Sequence, residues 1–174
     1  MNYNIKLLDR HEGEVVVGDL VTLLQDVVHN GSSLGFLPPL TNEVAGNYWR
    51  ETLAEIATGD RVALIATVGT QIVGGVQLAL ARKQNAQHRA EVQKLMVHSN
   101  YRKQGIASAL LHEIDTVAHS IGRTLLFLDT EAASDAERLY PKCGYSRVGE
   151  IPQYARSVDH SLITTVIFYK LLQP

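Results

Sequence analysis

The most regular hydrophobic pattern of the chain lies between residues 106 and 121. Apolar residues recur there every three or four positions, the spacing of one helix face over about four turns: Ile106, Ala107, Leu110, Leu111, Ile114, Val117, Ala118 and Ile121. Gly122 follows, and glycine most easily takes the left-handed conformation that closes a helix. Residues 90–98, just before, are apolar enough to form a buried strand. The pattern therefore predicts a strand, a short turn and a long amphipathic helix.

Other apolar runs predict six further strands and three further helices. The strands are residues 3–9, 61–68, 72–81, 124–130, 144–151 and 161–172. The helices are residues 14–28, 42–58 and 134–143. Gly74 and Gly75, inside one strand, predict a bulge or the close approach of another group. This order of elements predicts an α/β (α+β) domain with a mixed sheet.

Composition narrows the class of protein. The 174 residues, 45% hydrophobic and 20% charged, predict a single soluble domain over residues 1–174. A net charge of −2 does not indicate a nucleic-acid or membrane partner, and the N-terminal MNYNIKLLDR lacks the apolar core of a signal peptide. The single cysteine, Cys143, excludes an internal disulfide and favours a cytoplasmic location. The seven histidines lack metal-ligand spacing, so no metal is predicted.

The turn before the long helix, residues 102–107, reads RKQGIA. A helix start offers free N–H groups and a positive dipole end, and Gly105 and Ala107 leave room for an anion to approach them. Arg102 and Lys103 add positive charge. The alternative interpretation is a polar turn that starts an ordinary helix. The chain contains neither a P-loop nor a dinucleotide fingerprint.

The strand, the RKQGIA turn and the helix together resemble the acyl-CoA motif Q/R-x-x-G-x-G/A of the GNAT superfamily of N-acetyltransferases. The resemblance implies a GNAT fold with a mostly antiparallel twisted sheet, whose fourth and fifth strands splay apart to hold acetyl-CoA. The turn's amides would hold the CoA pyrophosphate, and the preceding strand would hydrogen-bond the pantetheine arm. The implied cofactor residues are Leu95, Met96, Val97, Arg102, Lys103, Gln104, Gly105, Ile106, Ala107 and Ser108.

Acetyl transfer to an amine benefits from an acid near the sulfur and a base near the amine. Tyr140 lies in an A-x-x-L-Y-x-x-x-G-Y context that resembles the GNAT signature whose tyrosine reaches the CoA sulfur. Glu91 and Asp129 are carboxylates inside apolar strands, one on each side of the expected cleft, and Glu131 is a lesser candidate. Either of the first two, or a water molecule relayed by it, could take the proton.

Each of these residues also has an ordinary structural interpretation. Tyr140 could simply pack at a helix end, Glu91 could pair with Lys94 or Arg89, and Asp129 could cap a turn. Cys143 could be a nucleophile, although a buried, inert thiol fits its helix-end context better. The chain departs from the superfamily at Ala133, where many members carry an asparagine that contacts CoA.

Several segments resemble GNAT enzymes that inactivate a toxin's β-lactam amino acid, which implies a small zwitterionic amine as the acceptor and a role in toxin or antibiotic resistance. His29, Ser33, Phe36 and Tyr154 would shape the acceptor site. Two alternatives remain: an acetyltransferase acting on a protein or peptide amine, and a non-catalytic acyl-CoA-binding module. The resemblance allows a monomer or a homodimer.

Overall fold

The computed structural model describes residues 2–32 and 34–173. These form seven strands and four α-helices, joined by turns and three short 3₁₀ helices. The strands are β1 (Asn4–Leu7), β2 (Arg61–Val68), β3 (Gln71–Leu80), β4 (Arg89–Val97), β5 (Leu125–Glu131), β6 (Ser146–Arg156) and β7 (Leu162–Leu171). The α-helices are α1 (Arg10–His29), α2 (Asn42–Thr58), α3 (Ile106–Ser120) and α4 (Asp135–Leu139). The predicted order of elements is confirmed.

The seven strands form one mixed sheet in the order β1-β2-β3-β4-β5-β7-β6. Every neighbouring pair is antiparallel except β4 and β5, which run parallel. The predicted mixed, mostly antiparallel sheet is therefore confirmed. None of the helices in the described ranges combines the length and hydropathy needed to cross a bilayer.

Several predicted boundaries differ from the structure; the predicted helix 134–143, for example, is the α-helix Asp135–Leu139 followed by the 3₁₀ helix Tyr140–Cys143. Helix α1 begins at Arg10 rather than at residue 14, because the Asp9 side chain caps it by accepting a hydrogen bond from the Glu12 N–H at 2.9 Å. Strand β6 continues past residue 151 to Arg156, because its pairing with β7 resumes at Ala155 after an irregular stretch.

Two apolar clusters pack on the sheet. One contains the buried side chains of α3, including Leu110, Leu111 and Ile114, with side chains of β2 to β5 and β7. The other contains the apolar side chains of α1 and α2 with further side chains of β2 to β4. Trp49 of α2 ties the two helices together, since its indole N–H donates to the Leu20 carbonyl at 2.9 Å. The sheet is thus held between helices on both faces.

The β4–β5 ladder ends early. It contains only the pairs Arg89 with Leu125, Ala90 with Leu126 and Glu91 with Phe127, although both strands continue beyond them. Strand β4 also bulges against β3, and Lys94 in that bulge has a φ of 52°. Beyond Glu91 the two strands are not paired with each other, as the splayed arrangement predicts.

Gly74 in β3 allows α3 to start close to the sheet. A Cβ atom at Gly74 would lie 3.0 Å from the Met96 carbonyl oxygen and 3.1 Å from a methyl group of Ile106. Real Cβ atoms rarely come that close to backbone, so glycine is required if the helix is to keep this distance. The close approach predicted at the glycine pair is confirmed.

Candidate active site

A cavity of about 1130 Å³ opens where β4 and β5 separate. Its walls come from the end of α1 and the following loop, from β4, the start of α3 and β5, and from α4 and the β6–β7 hairpin. Where the two strands separate, their backbone N–H and C=O groups no longer pair with each other and are available to a ligand. The cavity is large enough for a cofactor and a small second molecule.

The start of α3 is open at one end of this cavity. Gly105 precedes the helix with a φ of 84°, and no side chain caps it. The amides of residues 103–108 donate to no acceptor in the described part of the chain. Space beside Gly105 is free as well, because a Cβ there would meet nothing within 4 Å. Uncapped amides at a helix start fit a phosphate or diphosphate group.

The exposed cations Arg102 and Lys103 lie next to these amides. The pKa of the neighbouring Asp135 carboxyl is lowered, first by its hydrogen bond and charge pairing with Arg138, and further by the charges of Lys103 and Arg102. This end of the cavity is therefore electropositive and suits a polyanionic group.

Most of the residues predicted to contact the cofactor line the cavity, and two do not. Those in the walls are Leu95, Val97, Arg102, Lys103, Gly105, Ile106, Ala107 and Ser108. Met96 is only 1% exposed and belongs to the core. The Gln104 side chain donates to the Asn100 carbonyl at 3.4 Å. Met96 can therefore offer a ligand only backbone groups, whereas the exposed Gln104 side chain lies outside the cavity wall.

Tyr140 starts the 3₁₀ helix Tyr140–Cys143 and lines the cavity. It is 6% exposed, and its ring packs against Tyr145 and Phe168 at centroid distances of 5.6 and 5.7 Å. Burial raises the pKa of the Tyr140 phenol far above its usual value, and the charge of Asp129 adds to this effect. Its hydroxyl has no hydrogen-bond partner among the described residues. It is a protonated donor facing the cavity.

Glu91 and Asp129 line the cavity from its two strands. Glu91 is the last β4 residue in the ladder with β5, and Asp129 follows two positions beyond its partner Phe127. Asp129 accepts a hydrogen bond from the Thr165 hydroxyl at 3.1 Å. Neither carboxylate has a cationic partner within 4 Å in residues 2–32 and 34–173. Arg89 lies over the Phe127 ring instead, at 5.8 Å. Glu131 also reaches the cavity wall.

The four residues predicted on the acceptor side do not all line the cavity. Phe36 and Tyr154 line the cavity. His29 does not, because its side chain lies exposed in the last turn of α1, whereas Val27 of the same turn and the residues from Asn30 onward line the cavity. Ser33 falls outside the described residues.

Comparison with known proteins identifies this arrangement. A model of the acetyltransferase (GNAT) domain matches residues 59–147, which is more than half of the chain. The chain belongs to the GNAT family. It is therefore an N-acetyltransferase that depends on acetyl-CoA, and the matched range contains the turn at Gly105, both strands of the cleft and Tyr140.

Solved structures show the same fold. A ribosomal-protein-alanine N-acetyltransferase from Brucella melitensis is 21% identical, with a TM-score of 0.78 over 97% of this chain and 99% of its own. An aminoglycoside 6′-acetyltransferase of type Ii is 21% identical, with a TM-score of 0.73 over 98% of each chain. A protein described as an acetyltransferase from Salmonella typhimurium, solved with acetyl-CoA, is 14% identical, with a TM-score of 0.77 over 98% and 94%.

The sequence analysis missed Lys94 as a candidate site residue in this acetyltransferase. Its side chain lines the cavity, with its ammonium nitrogen 5.8 Å from the Phe36 ring centroid and 5.6 Å from that of Tyr48. Burial lowers the pKa of the Lys94 ammonium, and the charge of Arg61 lowers it further, while Glu91 and Asp129 raise it. The available signal was a lysine inside a buried strand, which we interpreted only as a possible partner for Glu91.

Cys143 of the acetyltransferase is buried outside the cavity wall. It is 4% exposed and is not among the residues that line the cavity. Burial raises the pKa of its thiol, which a hydrogen bond with Ser108 partly offsets. A protonated, enclosed thiol is a poor nucleophile. Within the described ranges, no three His, Cys, Asp or Glu side chains cluster closely enough to hold a metal ion.

Proposed function

We propose that this enzyme transfers an acetyl group from acetyl-CoA directly to the amine of a small zwitterionic molecule. The observation that carries the proposal is the meeting, in one cavity, of an uncapped helix start, a protonated tyrosine hydroxyl and two carboxylates without cationic partners. We further propose that residues 1–174 act as a single N-acetyltransferase domain.

At the cofactor end, the amides of the turn from Lys103 to Ser108 would bind the CoA pyrophosphate, with Arg102 and Lys103 adding charge. The backbone of Leu95 to Val97, which is not paired with β5, would bind the pantetheine arm. Bound acetyl-CoA supplies an activated thioester. These contacts would place its acetyl group between the separating strands, within reach of both carboxylates and of Tyr140.

At the reacting centre, the Tyr140 hydroxyl would donate its proton to the departing sulfur. Its surroundings support this role, because a phenol with a raised pKa stays protonated near neutral pH. Glu91 or Asp129 would accept the proton that the amine loses, directly or through a water molecule. Both face the cavity without a cationic partner, so each is available to an incoming ammonium group.

The acceptor itself is inferred from the resemblance of several segments to the tabtoxin resistance protein, an acetyltransferase. They are HNGSSLGF, RAEVQKLMV, LDTEAASDAERLY and the run from Gly144 to Ala155. This resemblance favours a β-lactam amino acid or a related toxin or antibiotic, and a cytoplasmic resistance enzyme. Phe36 and Tyr154, which line the cavity, would contact such an acceptor.

The test is a panel of amines mixed with acetyl-CoA, with free CoA detected by a thiol reagent. The panel contains β-lactam amino acids, ordinary amino acids, aminoglycosides and short peptides with free N-termini. We expect the fastest release with small zwitterions. Release only with peptides would establish the protein-directed alternative. If acetyl-CoA raises the melting temperature but CoA is released with none of the amines, the result would indicate the non-catalytic binding module.

A further inference from the structure

The Lys94 ammonium group has no anionic partner in the described part of the protein. It makes neither a hydrogen bond nor an ion pair there, although it is partly buried in the wall of the cavity. A buried charge is normally paired, because leaving water without a partner is costly. Arg61, a cation whose charge also acts on Lys94, is by contrast paired with Glu55 and donates to Gln77 and Gln93 at 2.9 Å.

The fold holds the Lys94 side chain in this position. The bulge in β4 gives Lys94 a φ of 52° and turns the strand away from its regular register with β3. The Phe36 and Tyr48 rings, which contact each other edge-to-face at 5.2 Å, flank its ammonium group. Gly35, in the loop after α1, lies beside it as well, since a Cβ there would be 3.8 Å from the Lys94 ammonium nitrogen. Such a cation is preorganised, so binding an anion costs little ordering.

The part of the cavity around Lys94, Glu91 and Asp129, which we call the acceptor end, therefore carries charges of both signs. Glu91 and Asp129 provide negative charge, close enough to Lys94 for all three to interact electrostatically. A simple cationic amine would be attracted by the carboxylates but repelled by Lys94. A molecule with an ammonium group and a carboxylate would satisfy both signs.

We propose that Lys94 binds a carboxylate of the acceptor and so selects amines that also carry an acid group. This inference rests on the proposed transfer to a small amine, and it names the residue that recognises the substrate class. Lys94 would determine specificity without taking part in the proton transfers. Its removal should therefore weaken recognition of the acid group, whereas plain amines, which Lys94 no longer repels, should not react more slowly.

The experiment compares amines that differ only in the carboxylate. L-lysine is paired with cadaverine, and β-alanine with ethylamine. Each is assayed for CoA release with the wild-type enzyme, with Lys94→Met, which keeps side-chain length without charge, and with Lys94→Arg. Binding of each compound to the CoA-saturated protein is also measured by calorimetry. Lys83→Met, on the exposed turn before β4 and away from the cavity, is the matched control.

We expect Lys94→Met to lower kcat/KM, through KM, about 10- to 100-fold for the carboxylated member of each pair, and to raise kcat/KM slightly for the other member because the repulsion by Lys94 is gone. Lys94→Arg should retain part of the preference. Equal losses for both members, or a wild-type enzyme without preference, would overturn the inference. The inference would also be overturned if none of the carboxylated compounds bound. If compounds bind in a Lys94-dependent manner but CoA is never released, the proposed function fails while the carboxylate site stands.

Discussion

The two ends of the cavity are built in different ways. The proposed cofactor end comes mainly from one continuous segment, from the end of β4 into the first turn of α3, and it offers mostly backbone groups. The proposed acceptor end is assembled from side chains of the loop after α1, of β4 and β5, and of the β6–β7 hairpin. A backbone site depends on local conformation, whereas a side-chain site depends on tertiary packing. The first can therefore be recognised in a short motif, and the second cannot.

Tyr140 lines the cavity and is the proposed proton donor, so replacing it should have the largest effect. We expect Tyr140→Phe to lower kcat about 100-fold or more, because only the proton donor is lost and the ring still fills its place. The Kd for acetyl-CoA should hardly change. Steady-state kinetics and calorimetry with acetyl-CoA check the two quantities separately.

Tyr145→Phe is the matched control for this variant. Tyr145 is also buried and contacts the Tyr140 ring, but its hydroxyl donates to Asp115 at 3.2 Å, away from the cavity. Its loss should cost about 1 kcal/mol of unfolding free energy and leave kcat nearly unchanged. If the two variants lose kcat equally, Tyr140 contributes packing and not acid catalysis.

The carboxylates of the acceptor end should give the next largest effects. We expect Glu91→Gln and Asp129→Asn each to lower kcat/KM for the best amine by about 10- to 100-fold, because each removes a charge that attracts the ammonium or accepts its proton. The variant with the larger loss in kcat identifies the base. A similar loss in both indicates a shared water relay.

Glu113→Gln is the control for the loss of a carboxylate, because Glu113 is exposed on α3 and lies outside the cavity wall. Acetyl-CoA binding, measured by calorimetry, should be unchanged in all three variants. Wild-type kcat/KM in both Glu91→Gln and Asp129→Asn would remove these residues from the proposed reaction.

Substitutions at the cofactor end should have smaller effects, because the proposed contacts there come mainly from the backbone. We expect Gly105→Ala to raise the Kd for acetyl-CoA about tenfold. A Cβ atom would strain the left-handed backbone at this residue, and it would also occupy the space proposed for the phosphate. Gly122, at the other end of α3, has a φ of 75° and equally open space. Gly122→Ala should therefore lose similar stability, roughly 1 kcal/mol, without any change in Kd. Equal Kd changes would show that helix strain alone is responsible.

The sequence predicts the cofactor end of the cavity better than the acceptor end. The strand, turn and helix around Gly105 follow from apolar spacing and one glycine, and the close approach at Gly74 from a glycine pair inside a strand. Lys94 could not be placed, because a bulge in β4 directs it and a loop remote in sequence covers it. The resemblance implied that His29 belongs to the acceptor site, yet the last turn of α1 leaves it outside the cavity wall. Pairings between remote segments determine such positions, and local patterns do not encode them.

The smallest expected effect concerns the departure from the GNAT pattern at Ala133. The residue has a φ of 62°, a left-handed conformation that asparagine tolerates better than alanine, and it lies between the cavity residues Glu131 and Ser134. We expect Ala133→Asn to raise the unfolding free energy by about 0.5 kcal/mol. It should also tighten acetyl-CoA binding about two- to threefold, through one added hydrogen bond.

Gln153→Asn separates these two effects. Gln153 has a φ of 57° on the exposed strand β6 and does not line the cavity, so its replacement should give only a change in stability. Thermal unfolding and acetyl-CoA titration of both variants provide the comparison. If Ala133→Asn gains stability but no affinity, the asparagine of the GNAT signature serves the turn itself. The cofactor end would then bind acetyl-CoA through backbone and cations alone, which would sharpen its contrast with the acceptor end.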